Sequence, residues 1–410
     1  MLTHTLSERT QYYLQLEENF GAHNYHPLPV VLEKGKGVFV WDIDGKKYYD
    51  FLSGYSAVNQ GHCHPRIIDA LVEQSKKLTL TSRAFHNNLL GEYEKFATEV
   101  FGYDKLLPMN TGVEAVETAI KLCRRWGYNN KHIKDGEAKM IVCENNFHGR
   151  TTTVISFSTD PDSNKNFGPF TPGFIIIPYN DINALQKALE DKNVAGFLVE
   201  PIQGEAGVVV PDDGYLSKAK QLCDAYNVLF IADEIQTGLG RTGKMLACDH
   251  ENVKPDILIL GKALSGGVLP VSAVLADDEI MMNIKPGEHG STYGGNPLAC
   301  AVAIESLKVL KEENMVDNAA AMGKLFREEL QKIDSRFISL IRGKGLLNAI
   351  VIDHTNKDAA WELCIELKEN GLIAKPTHGD KIRFAPPLLI TKQQILECVD
   401  IISDSLNVLA

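Results

Sequence analysis

No stretch of the 410-residue chain approaches the roughly 18 apolar residues of a membrane-spanning helix, so no span is expected. An excess of basic charge is also missing: 42 Lys and Arg stand against 53 Asp and Glu, for a formal net charge of −11. Nucleic acid or an anionic membrane would call for a basic face, so neither is expected as a partner, and small metabolites are the natural ligands. The eight cysteines form no C-x-x-C pair and lie scattered in apolar segments. That distribution suits reduced, buried thiols better than disulfides or zinc, and no metal is expected. The first ten residues lack the apolar core of a signal peptide, and no repeat, low-complexity tract or long linker follows. These absences point to a cytoplasmic protein, or a mitochondrial matrix one if a transit peptide has been removed. With 44% hydrophobic residues the chain can bury a large core in two or three structural units.

Chemistry gathers at the ends of buried strands. Four apolar residues, Ile257 to Leu260, read as a strand buried on both faces, and Gly261-Lys262 emerge at its carboxyl end. Ligands of open α/β sheets sit at that end. Desolvation among small residues could lower the pKa of Lys262 and present a free amine for Schiff-base chemistry; the plainer reading is a lysine that snorkels to water. Val228 to Asp233 is a second such strand, and it stops on a carboxylate. Asp233 could hold a protonated pyridine nitrogen, which with Lys262 suggests pyridoxal phosphate; alternatively it caps a helix or pairs with an arginine.

The rest of the chain places these strands. Residues 1–37 combine a short polar helix pattern with a proline-containing arm, His23 to Pro29, and residues 37–50 alternate about Asp44-Gly45 as a hairpin does. His62-Cys63-His64-Pro65 reads as a turn. Helical spacing covers Pro65 to Val100, and Asn110-Thr111-Gly112-Val113 opens another helix, whose free amide groups and the Thr111 hydroxyl could hold a phosphate. Strands at 139–143, 174–177, 196–199, 228–233, 257–260 and 271–276 alternate with helices, which predicts a mainly parallel, doubly wound sheet. After the first of these strands, Phe147 could stack on a planar ring, or simply join the core, and Arg150 could bind a carboxylate. Ser291-Thr292-Tyr-Gly-Gly295-Asn-Pro297 is a polar loop whose hydroxyls could complete a phosphate site. The expected units are 1–50 (arm and small β-unit), 51–296 (large domain) and 297–410 (small α/β domain).

Six motifs occur in order: Thr-Gly-Val-Glu-Ala, Phe-His-Gly-Arg-Thr, Glu-Pro-Ile-Gln-Gly-Glu, Asp-Glu-Ile-Gln-Thr-Gly, Gly-Lys-Ala-Leu-Ser-Gly-Gly and Ser-Thr-Tyr-Gly-Gly-Asn-Pro. Over essentially the whole chain this series resembles the subgroup III (ω-amino) pyridoxal-phosphate aminotransferases. Four further stretches resemble the members that use ornithine: those beginning at Asn24, Ser56 and Leu78, and Lys375-Pro-Thr-His-Gly-Asp with Arg383-Phe-Ala-Pro-Pro.

The resemblance implies an α/β, fold-type-I transferase with a seven-stranded large domain, acting as a homodimer whose active site lies at the interface. Its expected reaction moves the δ-amino group of ornithine to 2-oxoglutarate. Lys262 would be the Schiff-base lysine, Asp233 the partner of the ring nitrogen, Gln236 a neighbour of the phenolic oxygen and Phe147 the stacking ring. Gly112 and Val113 amides would bind phosphate, joined by Ser291 and Thr292 from the neighbouring subunit. Tyr25 and Arg150 would hold the α-amino and α-carboxylate groups of the donor, with Tyr55 shaping the pocket. Glu205 and Arg383 would pair and part as the two substrates alternate. His148 stands where close relatives vary between bulky and small residues, so the pocket's shape beside Phe147 is left open. Acetylornithine or 4-aminobutyrate transamination would use the same cofactor residues, and a decarboxylase or aminomutase could share the fold. A non-catalytic scaffold would be expected to have lost Lys262 or Asp233.

Overall fold

Seven strands form the central sheet of the protein, in the order Lys105–Met109, Ser272–Ala276, Ile257–Leu260, Leu229–Asp233, Val194–Val199, Lys139–Cys143 and Phe174–Ile177. The structure is a computed structural model and describes residues 6–410. Only Ser272–Ala276 runs antiparallel to its neighbours, so the sheet is mixed but mostly parallel, as predicted. The central strands are buried on both faces, which is why they read as unbroken apolar runs rather than alternating ones. Helices cover both sides, among them Gly112–Asn129 and Tyr215–Ala225.

The Lys105–Met109 strand was not foreseen. It carries Pro108, which cannot donate to a ladder and so argues against a strand, but it lies at the sheet edge, where a proline is tolerated. Its place there aims the following Asn110-Thr111-Gly112 at the same edge as the ends of the parallel strands.

Two smaller sheets complete the molecule. One is antiparallel, in the order Ile338–Lys344, Leu347–Ile352, Lys381–Phe384 and Lys375–Thr377. The other joins the predicted hairpin, Phe39–Asp42 with Lys47–Asp50, to Leu32–Lys36 on one side and to Leu372–Ile373 on the other. The expected boundary at residue 50 therefore runs through shared structure: the Phe51 amide donates to Ile373 O at 3.0 Å and the Ala385 amide to Phe51 O at 2.7 Å. Rings of Phe51, Phe326 and Phe384 pack edge to face at 5.7–5.8 Å, which locks the N-terminal unit onto the C-terminal lobe. His62 and His64 take separate carboxylate partners, Asp50 at 2.7 Å and Glu313 at 3.1 Å. Among the described residues no helix is long and apolar enough to cross a membrane.

The helix Met315–Leu330 lies so close to the turn between the first two strands of the small sheet that a Cβ on Gly323 would come within 1.7 Å of Gly345 O. Backbone on backbone cannot yield cheaply. Gly323→Ala is expected to destabilise the protein by about 1–3 kcal/mol through overpacking, seen as a lower thermal midpoint. An unchanged midpoint would show that the helix is free to move off the turn.

Candidate active site

Five segments end at one edge of the large sheet and enclose a cavity of about 250 Å³, lined by Gly112, Val113, Phe147, His148, Glu200, Asp233, Gln236 and Lys262 among others. Parallel strands do this by geometry: their carboxyl ends share a side, and the residues that follow them must meet there. Lys262 follows the Ile257–Leu260 strand after a single residue, Gly261, and lies in the left-handed region at φ 44°. A non-glycine residue held there is strained, and the strain is stored where the chain turns the amine into the cavity. Burial pushes the Lys262 pKa down to about 8, although Glu205 nearby works against the fall. A fraction of the amine is thus unprotonated near neutral pH, and the side chain lines the cavity wall.

Asp233, 4% exposed, ends the next strand. Its Oδ1 accepts from the Ile235 amide at 3.1 Å, and its Oδ2 lies 2.7 Å from His148 Nδ1. Sequence reasoning gave His148 no role, because its partner lies 85 positions away and is set only by the fold. Burial disfavours the imidazolium, but the hydrogen bond and charge of Asp233 outweigh it, so the His148 pKa is raised above its ordinary 6.5. Glu200 was also missed as a site residue. Its carboxylate accepts from the Phe147 amide at 2.8 Å and the Gly204 amide at 3.4 Å, and burial raises its pKa to about 7. One carboxylate thereby ties the loop bearing Phe147 to the loop bearing Glu205.

Gly112 is the first residue of an 18-residue helix, so its amide and that of Val113 lack intrahelical acceptors. The Thr111 hydroxyl is engaged as the N-cap of that helix: it accepts from the Glu114 amide at 3.4 Å and donates to the Glu114 carboxylate at 3.1 Å. Room in the cavity depends on glycine, since a Cβ at Gly149 would stand 2.4 Å from Val113 Cγ2.

At the cavity mouth Arg383, from the small sheet, donates through Nη1 to Glu205 Oε1 at 2.7 Å and to Gln236 Oε1 at 3.2 Å. Gln236 Nε2 donates back to Glu205 Oε1 at 2.9 Å, so Gln236 is a third member of this pair as well as a wall of the cavity. Burial alone would raise the Glu205 pKa; the Arg383 and Lys262 charges hold it down at about 2. Arg383 also lies over the Tyr55 ring at 5.1 Å. Tyr25 is 70% exposed, close enough to Tyr55 to oppose its ionisation. Arg150 stands outside the 250 Å³ cavity, with its guanidinium 5.6 Å from the Phe147 ring centre and Nη1 donating to Ser163 Oγ at 3.1 Å, beside an adjoining cavity of about 390 Å³. Ser291 Oγ accepts from Asn110 Nδ2 at 2.8 Å, while Thr292 is exposed on the same loop.

The family model for class-III aminotransferases matches residues 20–406. The chain belongs to the class-III aminotransferases. The mitochondrial ornithine aminotransferase of Rattus norvegicus is 62% identical over 397 residues, which is 97% of this chain and 90% of the rat protein. A crystal structure of the ornithine aminotransferase from Toxoplasma gondii superposes with a TM-score of 0.95 at 51% identity, over 98% of this chain and 96% of that one. The acetylornithine aminotransferase from Elizabethkingia anophelis superposes with a TM-score of 0.91 at 62% identity, over 98% and 100%.

In this class-III aminotransferase the contact between His148 and Asp233 makes a pH-dependent contribution to stability. A histidine whose folded pKa lies above 6.5 stabilises fully below that value, and the gain is lost as pH rises through the folded pKa. The thermal midpoint of the wild type should therefore exceed that of His148→Gln most in mild acid, with the gap narrowing towards alkaline pH. A gap that widens with pH would mean that His148 is held neutral.

Proposed function

We propose that this class-III aminotransferase moves the δ-amino group of L-ornithine to 2-oxoglutarate, forming glutamate 5-semialdehyde and glutamate, with pyridoxal phosphate as its cofactor. The observation that carries the reading is the Glu205–Arg383 pair at the mouth of a cavity that holds Lys262 and Asp233. An arginine masked by a carboxylate suits a site that must accept a terminal amine in one half-reaction and an α-keto acid in the other. The names of the rat and Toxoplasma relatives support the same donor.

The residues fit the cofactor: one cavity brings together a low-pKa amine, a buried carboxylate, an aromatic wall and the amide groups of a helix N-terminus. When bound, the cofactor supplies an aldehyde for amine exchange and a ring that accepts an electron pair. Gly112 and Val113 amides, backed by the positive end of their helix, would hold the phosphate, with Thr111 keeping that helix end in place. Asp233 would keep the ring nitrogen protonated, oriented by His148. Phe147 would bear on the ring face. The Lys262 amine would serve first as covalent anchor and then as the base that carries a proton to and from the donor carbon. Arg150 would bind the donor's α-carboxylate and Tyr25 its α-amino group, beside Tyr55, leaving the δ-amine directed inward. Gln236 would share its amide between the phenolic side of the cofactor and the Glu205–Arg383 pair.

Three rival donors test this: ornithine, acetylornithine and 4-aminobutyrate in a coupled assay. Ornithine is expected to lead in kcat/KM by about tenfold or more, equivalent to roughly 1.4 kcal/mol in transition-state discrimination. Preference for acetylornithine, the donor named by the Elizabethkingia relative, would establish the second reading. Lys262→Ala should abolish turnover, and borohydride reduction of the wild type should leave the pyridoxyl label on Lys262 and on no other lysine.

We further propose that the enzyme works as a homodimer in which Ser291 and Thr292 complete the phosphate site of the neighbouring subunit. Exposure of Thr292 within its own chain supports this. Mixed dimers of Thr292→Ala and Lys262→Ala chains would then hold one intact and one doubly damaged site, and should show about half the wild-type activity. Activity at the level expected for two independently damaged subunits would place the loop in its own chain's site. Eight free cysteines, seven of them buried, favour a reducing compartment, the cytoplasm in this reading. The rat relative is named as mitochondrial.

A further inference from the structure

Glu205 sits in a short loop, Gly204 to Val208, that follows a strand of the large sheet, yet its carbonyls are held from the small one. The loop is closed at its base by paired backbone bonds, Gln203 amide to Val209 O at 3.1 Å and Val209 amide to Gln203 O at 2.9 Å. Three successive carbonyls in the loop are then held by side chains of the small sheet. Thr377 Oγ1 donates to Glu205 O at 2.9 Å, Arg342 Nη2 to Ala206 O at 3.5 Å and Arg342 Nε to Gly207 O at 2.7 Å. A fourth anchor is apolar. Val208 is fully buried in a cluster with Ile202, Leu347, Ala349 and Ala385, and adopts φ 59° to get there. A β-branched residue in the left-handed region is a genuine outlier, retained only where its surroundings over-determine it.

These contacts bear on how the Glu205–Arg383 pair can open. Arg383 lies on Lys381–Phe384, the strand next to that of Thr377 in the same small sheet. The Glu205, Ala206 and Gly207 carbonyls and the Arg383 backbone are therefore held by the same small sheet, so opening of the pair falls to the Glu205 and Arg383 side chains. We infer that Arg342 is a positioning residue for donor selectivity: by clamping the Ala206 and Gly207 carbonyls it keeps the Glu205 carboxylate over Arg383 while ornithine reacts. This rests on the proposed masking of Arg383 by Glu205. A guanidinium fork suits the task because two carbonyls must be met at once from a single planar group, which an ammonium cannot do in the same way.

Loosening the clamp lets Glu205 leave Arg383 more often, and an unmasked Arg383 attracts donors that carry a carboxylate beside the reacting amine. The test is a set of single-turnover rates with ornithine and with glutamate for Arg342→Gln, Arg342→Lys and Thr377→Val, alone and combined with Glu205→Ala. Glu205→Ala should raise the glutamate rate relative to the ornithine rate by about tenfold, and Arg342→Gln by about fivefold, with Arg342→Lys failing to restore the wild-type ratio. In the Glu205→Ala background the Arg342→Gln effect on the ratio should vanish, because the clamp then has nothing to position. If both half-reactions fall together in Arg342→Gln, or if its effect persists without Glu205, the clamp does not act through the pair and the inference is overturned. Thr377→Val removes a single hydroxyl and should shift the ratio in the same direction, which keeps the test decisive if Arg342→Gln folds poorly. An unchanged ratio in Glu205→Ala itself would overturn the masking reading, whereas a shift there with none in Arg342→Gln or Thr377→Val would overturn the clamp alone.

Discussion

Burial of several charges around one small cavity is the constraint on which the rest of this structure depends. Lys262, Asp233, His148, Glu200, Glu205 and Arg383 stand within reach of one another's fields, where water screens them little. Most are compensated by a neighbour, and the others shift their pKa. Arg383 and Gln236 hold Glu205 as a carboxylate, His148 faces Asp233, and Glu200, which meets only backbone amides, is the one whose pKa climbs to about 7. The same low dielectric that makes these charges costly lowers the pKa of Lys262 to about 8.

The two sheets divide this work. The large sheet supplies the amine, a buried carboxylate, the aromatic wall and the helix end, from the ends of its strands and the segments that follow them. The small sheet supplies Arg383 and the clamp of Arg342 and Thr377 on the loop that carries its counter-ion. In the proposed reaction, chemistry would thus belong to one layer and discrimination between donors to the junction of both. The shared sheet that joins Lys47–Asp50 to Leu372–Ile373 fixes the small lobe to the N-terminal unit, where the Tyr25 arm begins.

Much of this could be read from the chain before folding. Buried strands announced themselves as short apolar runs, and each placed its chemical group correctly at a carboxyl end, Lys262 and Asp233 above all. Lys105–Met109 escaped because Pro108 hides a strand whose edge position excuses it. His148 and Glu200 escaped for a different reason: neither has a local partner, and a histidine in a loop or a glutamate before a proline has no periodicity to mark it. Gln236 was recognised, but its bonds to Glu205 and Arg383 join residues 31 and 147 positions away.

What the sequence determined by itself was the set of groups and the side of the sheet on which they would gather, because strand burial and strand direction are written in local composition. Tertiary structure decided which groups touch. It added Gln236 to the Glu205–Arg383 pair that the resemblance implied, and it spent the Thr111 hydroxyl on a helix cap. It also gave His148 its carboxylate, and drew the Glu205 loop onto the small sheet through Arg342, Thr377 and a strained Val208. Contacts of that kind depend on distances of a few ångströms between elements far apart in the chain, and these are set by how whole layers pack, a property that no local stretch of residues contains.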